Sequence, residues 1–405
     1  MNIWMRGTIF LVGLMLAGSA AAVTLSTDGD GQVLIYPYYT VNAERNSTLT
    51  LSNMADQAKA VKLDFRSGAD GSAAFVLNVY LGAYDTWTGT LFHWGDGANA
   101  GPAMVSNDSS CTVPSLHAAN LPTLPDGRHY LRPNASGQAA APLGEGYVTA
   151  IEMGTLGGAS AAALKFPYAP NQPPAPADCA KLVAAWQSGG DWQKDPSMDI
   201  SAPSGGLSGT MTIIKVAQGT IFRIDATALK DFRVTAMHTA PEVTTPDLGD
   251  ALSNTETGIA TANIPLGNQV IQSDYPAERS IDAVSAVLMA QELKTHYDFR
   301  STIGARTAFV LNMPTKRFYV GDKNHFIAPF GRDALHIASS ASTLCPVVNI
   351  VGGRRNGANG PLYLEGLKPY IDTIARFVPL PCYATSVLAL DPKTRPRSVL
   401  DSQLT

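Results

Sequence analysis

The chain has 405 residues, of which 15% are charged and 45% are hydrophobic, and its formal net charge is −4. Soluble domains carry roughly 25% charged residues, so this chain is weakly charged, but its plentiful apolar residues exclude a disordered protein. The length predicts two or three domains, and the mild acidic balance without a basic cluster argues against general nucleic-acid binding.

Residues 1–22 have the features of a secretory signal peptide. Arg6 gives the positive start, residues 8–17 are apolar, and three alanines precede the expected cleavage site before Val23. The apolar stretch is shorter than the about 20 residues that span a bilayer, which disfavours the alternative of an uncleaved membrane anchor. We expect a soluble exported protein, located in the periplasm, on the cell surface or outside the cell, with no membrane span in the mature chain.

Residues 23–105 alternate apolar and polar side chains, a period typical of strands with one buried and one solvent-exposed face. Lys62, Asp64 and Arg66 are expected on the exposed face. Successive half-buried strands need a second layer, so this segment is predicted to form an antiparallel β-sandwich, Ig-like or jelly-roll-like. The apolar positions of the pattern are Leu49, Leu51, Val61, Leu63, Phe65, Phe75, Leu77, Val79, Leu81, Trp87 and Leu91.

Residues 106–205 are less regular and are predicted to form a loop-rich insertion with a short helix. Prolines between residues 166 and 174 exclude regular structure there. Asp178 is expected to cap a helix that carries Cys179 in its first turn and ends at Gly189.

Residues 206–405 are predicted to form a C-terminal β-rich domain, the second sandwich-like half of the chain. Strand patterns resume near Met211, and apolar residues at helical spacing predict a helix over residues 280–291. The mature chain is therefore expected to be mainly β, with few short helices.

One motif occurs twice with the same spacing. Asp-Phe-Arg-Ser at residues 64–67 is followed after six residues by Ala-Phe-Val-Leu-Asn at 74–78, and the same arrangement occupies residues 298–301 and 308–312. Such self-similarity indicates a duplicated sandwich module. The alternative is convergent hairpin chemistry, because the flanking residues align poorly.

The four cysteines are expected to form disulfides, because an exported protein folds in an oxidising compartment. Three pairings are possible, and we expect Cys111–Cys179 and Cys345–Cys382, which each fall within one half of the chain. A zinc site is disfavoured, since no two cysteines have metal-ligand spacing.

The sequence contains no local catalytic motif. The seven histidines form no zinc-binding pattern, Gly-x-Ser-x-Gly does not occur, and Glu145 and Glu152 are predicted on opposite faces of one strand. We therefore predict no catalytic residue, no metal and no cofactor, and we favour a non-enzymatic protein over an enzyme.

Aromatic residues are the remaining candidates for a binding surface. Rings on an exposed sheet face can stack on sugars or anchor a protein partner. The alternative is that Tyr36 and Trp87 fill the sandwich core. Pro37 predicts an edge strand or a bend over residues 32–40, and an exposed edge can accept a strand from another subunit or envelope component. The candidate ligand or assembly surface comprises Tyr36, Tyr38, Tyr39, Trp87 and Trp94.

Four segments resemble recurring segments of uncharacterised exported bacterial β-rich proteins. They are LIYPYYTV at residues 34–41, CTVP at 111–114, DCAKLVAAW at 178–186 and PTKRFYV at 314–320. The resemblance implies a bacterial origin, and the shared cysteine contexts favour the disulfides. It transfers no catalytic residue.

These features predict an exported, non-enzymatic cell-envelope or surface protein with a structural, assembly or adhesion role. One alternative is a carbohydrate-binding protein that uses the exposed aromatic residues. A second is a secreted hydrolase whose active site is assembled from distant residues. A polysaccharide, or a second copy of the chain, is the expected partner.

Overall fold

The computed structural model describes residues 21–68, 71–96, 100–133, 141–164, 178–266, 268–288, 293–297, 308–312, 314–318, 348–352, 373–377 and 389–391. Residues 1–20 of the predicted signal peptide lie outside this part of the chain. So do the predicted Cys345–Cys382 disulfide and the second copy of Asp-Phe-Arg-Ser.

The described residues form short helices and many strands. The helices are α1 (Gly158–Ala163), α2 (Cys179–Ala185), α3 (Asp191–Lys194) and α4 (Ser280–Leu288), with 3₁₀ turns at Asn42–Glu44, Ala141–Gly144, Val216–Gln218, Ala277–Arg279 and Lys316–Phe318. The strands are β1 (Val23–Leu25), β2 (Val33–Thr40), β3 (Asn46–Asn53), β4 (Lys59–Ser67), β5 (Ala73–Leu81), β6 (Thr86–Trp94), β7 (Gly101–Val105), β8 (Cys111–Val113), β9 (Glu145–Leu156), β10 (Ile200–Ser201), β11 (Leu207–Lys215), β12 (Thr220–Asp225), β13 (Thr227–Lys230), β14 (Ala260–Leu266), β15 (Gln269–Tyr275), β16 (Leu293–Tyr297), β17 (Ala308–Asn312), β18 (Val348–Gly352), β19 (Thr373–Phe377) and β20 (Ala389–Asp391).

Two large sheets dominate the fold. The first has ten strands in the order β15-β14-β1-β13-β2-β9-β4-β5-β8, with β10 also paired to β9. Its strands pair antiparallel, except β1 and β14, which are parallel. The second sheet has five strands in the order β12-β11-β3-β6-β7.

The two sheets stack face to face around one apolar core. Leu63 and Phe65 of β4 contribute from the first sheet, and Leu49, Trp87 and Met211 contribute from the second. On β3 buried and half-buried residues alternate along the whole strand, as the period of two predicts. The predicted mainly β, sandwich-type fold with few short helices is confirmed.

The other face of the ten-stranded sheet is also covered. α1, α2 and α3 pack over one apolar cluster that includes Tyr80 and Met153. α4 and the segment near Phe232 cover a second cluster. The prediction that Lys62, Asp64 and Arg66 face solvent is therefore wrong, because this face lies beneath a further layer and all three residues are buried.

β2 is an interior strand of the ten-stranded sheet, paired with β13 on one side and β9 on the other. The prediction of an edge strand over residues 32–40 is therefore wrong, whereas the predicted bend is present. The register against β9 shifts between Tyr36 and Tyr39. A bulge there accommodates Pro37, which has no N–H to donate to a ladder.

The two sheets draw strands from all three predicted segments. β9, in the predicted insertion, lies between β2 and β4, and β13 to β15 from the predicted C-terminal domain extend the same sheet. β11 and β12 complete the five-stranded sheet. The boundary at residue 205 therefore does not separate the sheets.

Asp178 caps α2 by accepting a hydrogen bond from the Lys181 N–H, which confirms the predicted start of that helix.

The first copy of the repeated motif forms the hairpin of β4 and β5, with Phe65 opposite Phe75. In the second copy, residues 308–312 form β17, which pairs with β18. Asn78 faces Val113 and Asn312 faces Val348, and each valine follows a cysteine by two or three residues. This equivalent pairing favours duplication, which stays a prediction.

Candidate functional site

Four of the five predicted surface aromatics lie in the core. Tyr36, Tyr39 and Trp87 are fully buried, and Tyr38 is nearly so. The Tyr36 hydroxyl donates to the Thr50 carbonyl at 2.9 Å, and burial raises the pKa of Tyr36. These rings stabilise the sandwich and are not open to a ligand.

Trp94 is the member of this set at the surface. Its ring centroid lies 4.8 Å from that of Tyr130 and 6.4 Å from that of Phe92, at the end of β6. The Arg132 guanidinium lies 5.7 Å from the Tyr130 ring centroid. Phe92 and Trp94 are half-buried and Tyr130 is buried, so Trp94 is the part of the predicted aromatic surface that a ligand can reach.

Exposed apolar side chains are concentrated on two hairpins that sequence patterns did not single out. In the β11–β12 hairpin they are Val216, Ile221 and Phe222, and in the β14–β15 hairpin they are Val270 and Ile271. Their exposed fractions range from 45% to 75%. Neighbouring residues on a strand point to opposite faces, so each hairpin is apolar and solvent-exposed on both faces.

β12 and β15 are the outermost strands of their sheets among the described residues. An outermost strand offers unpaired backbone N–H and C=O groups to another chain. The candidate assembly surface thus lies on β12 and β15, and not on residues 32–40.

A buried ion pair joins β4 to β9 on the face of the ten-stranded sheet that Val61 and Ala150 turn toward the core between the sheets. Lys59 Nζ lies 2.8 Å from Glu152 Oε1 and 2.7 Å from Ser204 Oγ, and both charged side chains are fully buried. Glu152 also accepts hydrogen bonds from the N–H groups of Ser204 and Gly205. Glu145, in contrast, accepts from the Tyr38 hydroxyl, so the two glutamates belong to separate networks.

A second buried network surrounds Tyr80. His238 Nδ1 lies 2.8 Å from the Pro196 carbonyl, so that nitrogen carries the proton, and Nε2 accepts from the Tyr80 hydroxyl at 3.0 Å. Trp186 donates to the same hydroxyl at 2.7 Å. Burial lowers the pKa of His238 to about 4, with smaller effects from the Pro196 carbonyl and Lys62.

Acid is expected to destabilise the protein through His238. In the unfolded chain the imidazole titrates near pH 6.5, so between pH 6.5 and about 4 only the unfolded state binds the proton, and stability falls as the pH falls. From pH 7 to pH 4.5 this contributes a loss of about 2–3 kcal/mol. His238→Gln keeps a donor and an acceptor but does not titrate, so urea unfolding of the variant is expected to show a correspondingly smaller loss.

Lys62 and Asp64 also have shifted pKa values, but they are present in both proteins and cancel in this comparison. Equal losses of stability in wild type and His238→Gln would contradict the buried, neutral imidazole.

A third polar cluster joins residues 314–318 to the sandwich. Arg317 Nη2 lies 2.7 Å from Asp247 Oδ2, and the Phe318 ring lies beneath the Arg317 guanidinium. Asp64 forms an ion pair with Arg66 nearby. Burial raises the pKa of Asp64 to about 6, against the opposing effect of Arg66 and Arg317. The cluster therefore anchors a segment of the chain beyond α4 to the outer face of the sheet.

The Cys111–Cys179 disulfide is present and confirms that predicted pairing. It joins β8, the last strand of the ten-stranded sheet, to the first turn of α2. The disulfide therefore fixes the helical layer to the sheet.

Among the described residues, no three His, Cys, Asp or Glu side chains are arranged to hold a metal ion. No helix in the same part of the chain is long and apolar enough to cross a membrane.

Similarity to a known family, protein or structure can indicate which residues of a chain form a functional site. Comparison with protein-family models, with curated proteins and with solved structures finds no match. Function is therefore inferred from the fold and the surface of this chain.

Proposed function

We propose that this chain is an exported, non-enzymatic protein of the bacterial cell envelope or cell surface that assembles with copies of itself. The observation that carries the proposal is the exposure of apolar side chains along β12 and β15. Exposed apolar side chains on a strand without an outer neighbour are typical of a site where another chain pairs. A structural or adhesive role follows from an assembly of this kind.

The Cys111–Cys179 disulfide is compatible with an oxidising compartment and so supports export. A disulfide stabilises a fold mainly by constraining the unfolded chain, and here it ties β8 to the first turn of its covering helix α2.

Strand addition at β12 is the proposed contact. Ile221 and Phe222 lie on opposite faces of this outermost strand, so a second copy that pairs with it covers both side chains at once. Main-chain hydrogen bonds give affinity in this mode, and the side chains on alternate faces give specificity.

Sedimentation velocity of residues 23–405 tests the proposal. We expect the wild type to form oligomers whose population increases with concentration. Ile221→Lys/Phe222→Lys adds two charges to the proposed contact and is expected to raise the dissociation constant roughly tenfold or more, a change of about 1.4 kcal/mol or greater. Val270→Lys/Ile271→Lys reports on β15 in the same way.

Met54→Lys/Tyr84→Lys is the matched control, because both side chains are apolar and exposed but lie outside the two hairpins. The control should leave the oligomers unchanged. A wild-type protein that stays monomeric at all concentrations would overturn the proposal, as would equal weakening by the control.

A carbohydrate-binding function is the second candidate, and the aromatic cluster of Phe92, Trp94 and Tyr130 favours it. Of the predicted platforms only Trp94 is at the surface, so this candidate depends on residues near the end of β6. Loss of polysaccharide binding in Trp94→Ala, with unchanged oligomers, would favour it over assembly.

A further inference from the structure

An open groove of about 710 Å³ lies at the end of the five-stranded sheet, apart from the exposed strands β12 and β15. Ligand pockets commonly have volumes of about 300–1,000 Å³, so the groove has room for more than one sugar ring. The lining residues that bear on its chemistry are Arg45, Asn46, Thr90, Phe92, His93 and Arg128.

The cations of this groove are available to a ligand. Arg45 is half-buried, its side chain donates to the Asn42 carbonyl at 3.4 Å, and no carboxylate of a described residue lies within ion-pair distance of it. Arg128 pairs with Asp126, but about half of each side chain is exposed. An exposed pair of this kind contributes little and can exchange its partner for a ligand carboxylate at low cost.

Among the described residues, the lining of the groove holds one carboxylate, Glu44, against the two guanidinium groups of Arg45 and Arg128. Glu44 is exposed and lies 3.8 Å from Lys215 Nζ. Arg45 and Arg128 therefore leave the groove with a positive balance, and an arginine binds a carboxylate through two parallel hydrogen bonds. The charge favours an anionic ligand.

The rest of the lining suits a sugar. Phe92 lines the groove, and its ring is held by Trp94 and Tyr130, with centroids at 6.4 and 6.3 Å. The Thr90 hydroxyl lies 2.9 Å from that of Thr48 on the same face, and the Asn46 amide is next to Arg45. An aromatic face beside hydroxyl and amide groups matches the apolar face and the hydroxyls of a pyranose.

We propose that this groove binds an acidic polysaccharide, with uronate carboxylates on Arg45 and Arg128 and a sugar ring on Phe92. An open groove accepts a chain that continues at both ends, whereas a small ion needs an enclosed site. The groove borders the turn of the β11–β12 hairpin at Val216. The proposal nevertheless does not depend on self-assembly, because Arg45, Arg128 and Phe92 lie outside β12 and β15.

Calorimetric titration of residues 23–405 with size-defined polygalacturonate and alginate fragments tests the proposal, with neutral dextran as the comparison ligand. Arg45→Ala/Arg128→Ala is expected to weaken binding of at least one uronate roughly tenfold or more, because hydrogen bonds to charged groups are lost. Phe92→Leu, which keeps an apolar residue against Trp94, is expected to weaken it by a smaller factor.

Lys194→Ala/Arg279→Ala is the charge-matched control, since both cationic side chains are exposed and lie outside the groove and outside β12 and β15. Its binding should equal that of the wild type. Absence of uronate binding would overturn the proposal, as would equal binding of dextran or equal weakening by the control. Binding of polyglutamate as tight as that of the uronates would also overturn it, because the groove would then recognise charge and not sugar.

Discussion

Lys59→Met is expected to lower the free energy of unfolding by about 3–5 kcal/mol. The substitution leaves the Glu152 carboxylate buried without its cation, and Ser204 loses the Lys59 ammonium that donates to its hydroxyl. A loss of this size is a large part of the about 5–15 kcal/mol that stabilises a typical domain. Urea unfolding followed by circular dichroism measures it.

Lys230→Met is the matched control, because Lys230 pairs with Asp28 and Asp30 at the surface. An exposed pair contributes at most about 1 kcal/mol, so the control should unfold close to the wild type. A loss of less than about 1 kcal/mol in Lys59→Met would contradict the buried position of this pair.

Cys111→Ser/Cys179→Ser is expected to lower the stability by about 4 kcal/mol, because the disulfide closes a loop with a sequence separation of 68 residues. The effect should begin locally. α2 lies on the Tyr80 network, so its release is expected to expose Trp186 and to shift tryptophan emission to longer wavelength before the sheets unfold.

Ala180→Ser is the control for this variant, since Ala180 is exposed beside Cys179 on the same helix. It should leave both the emission and the unfolding midpoint unchanged. Wild-type stability in the double serine variant would show that α2 is held by packing alone.

The strands of the sandwich were predictable where one face of a strand is buried and the other is half-buried. β3 and β6 show this most clearly, with Leu49 and Trp87 in the core and threonines between them. The cap at Asp178 was predictable too, because it depends on a local hydrogen bond to Lys181.

The covering of the outer sheet face was not predictable from the pattern of β4. Lys62 and Asp64 have the spacing of solvent-facing residues, and their burial depends on segments more than a hundred residues away. Glu152, the partner of Lys59, is 93 residues away. Contacts at such distances leave no local signal in the sequence.

The sequence of β2 does indicate a strand inside the sheet. Its residues, from Val33 to Thr40, form a nearly continuous apolar run, and all of them are buried. Such a run is typical of a strand buried on both faces. Pro37 suggested an edge strand because proline has no N–H to donate to a neighbouring strand. The bulge between Tyr36 and Tyr39 allows Pro37 to lie in an interior strand.

An edge strand was predicted at residues 32–40, whereas β12 and β15 are outermost strands of the two large sheets among the described residues. Exposed edges depend on the order of strands in a sheet, and that order is set by long-range pairing. Isoleucine and phenylalanine are common in buried strands, so the sequence alone does not show that Ile221 and Phe222 are exposed. Their exposure follows from the position of β12 at the end of its sheet.

We propose that the chain acts outside the cytoplasm as part of an assembly. Fractionation of the producing cells, followed by a non-reducing gel and size-exclusion chromatography of the native protein, tests it directly. We expect the protein in sheared surface material or the envelope fraction, in particles larger than one chain. Recovery as a free soluble monomer would contradict the account.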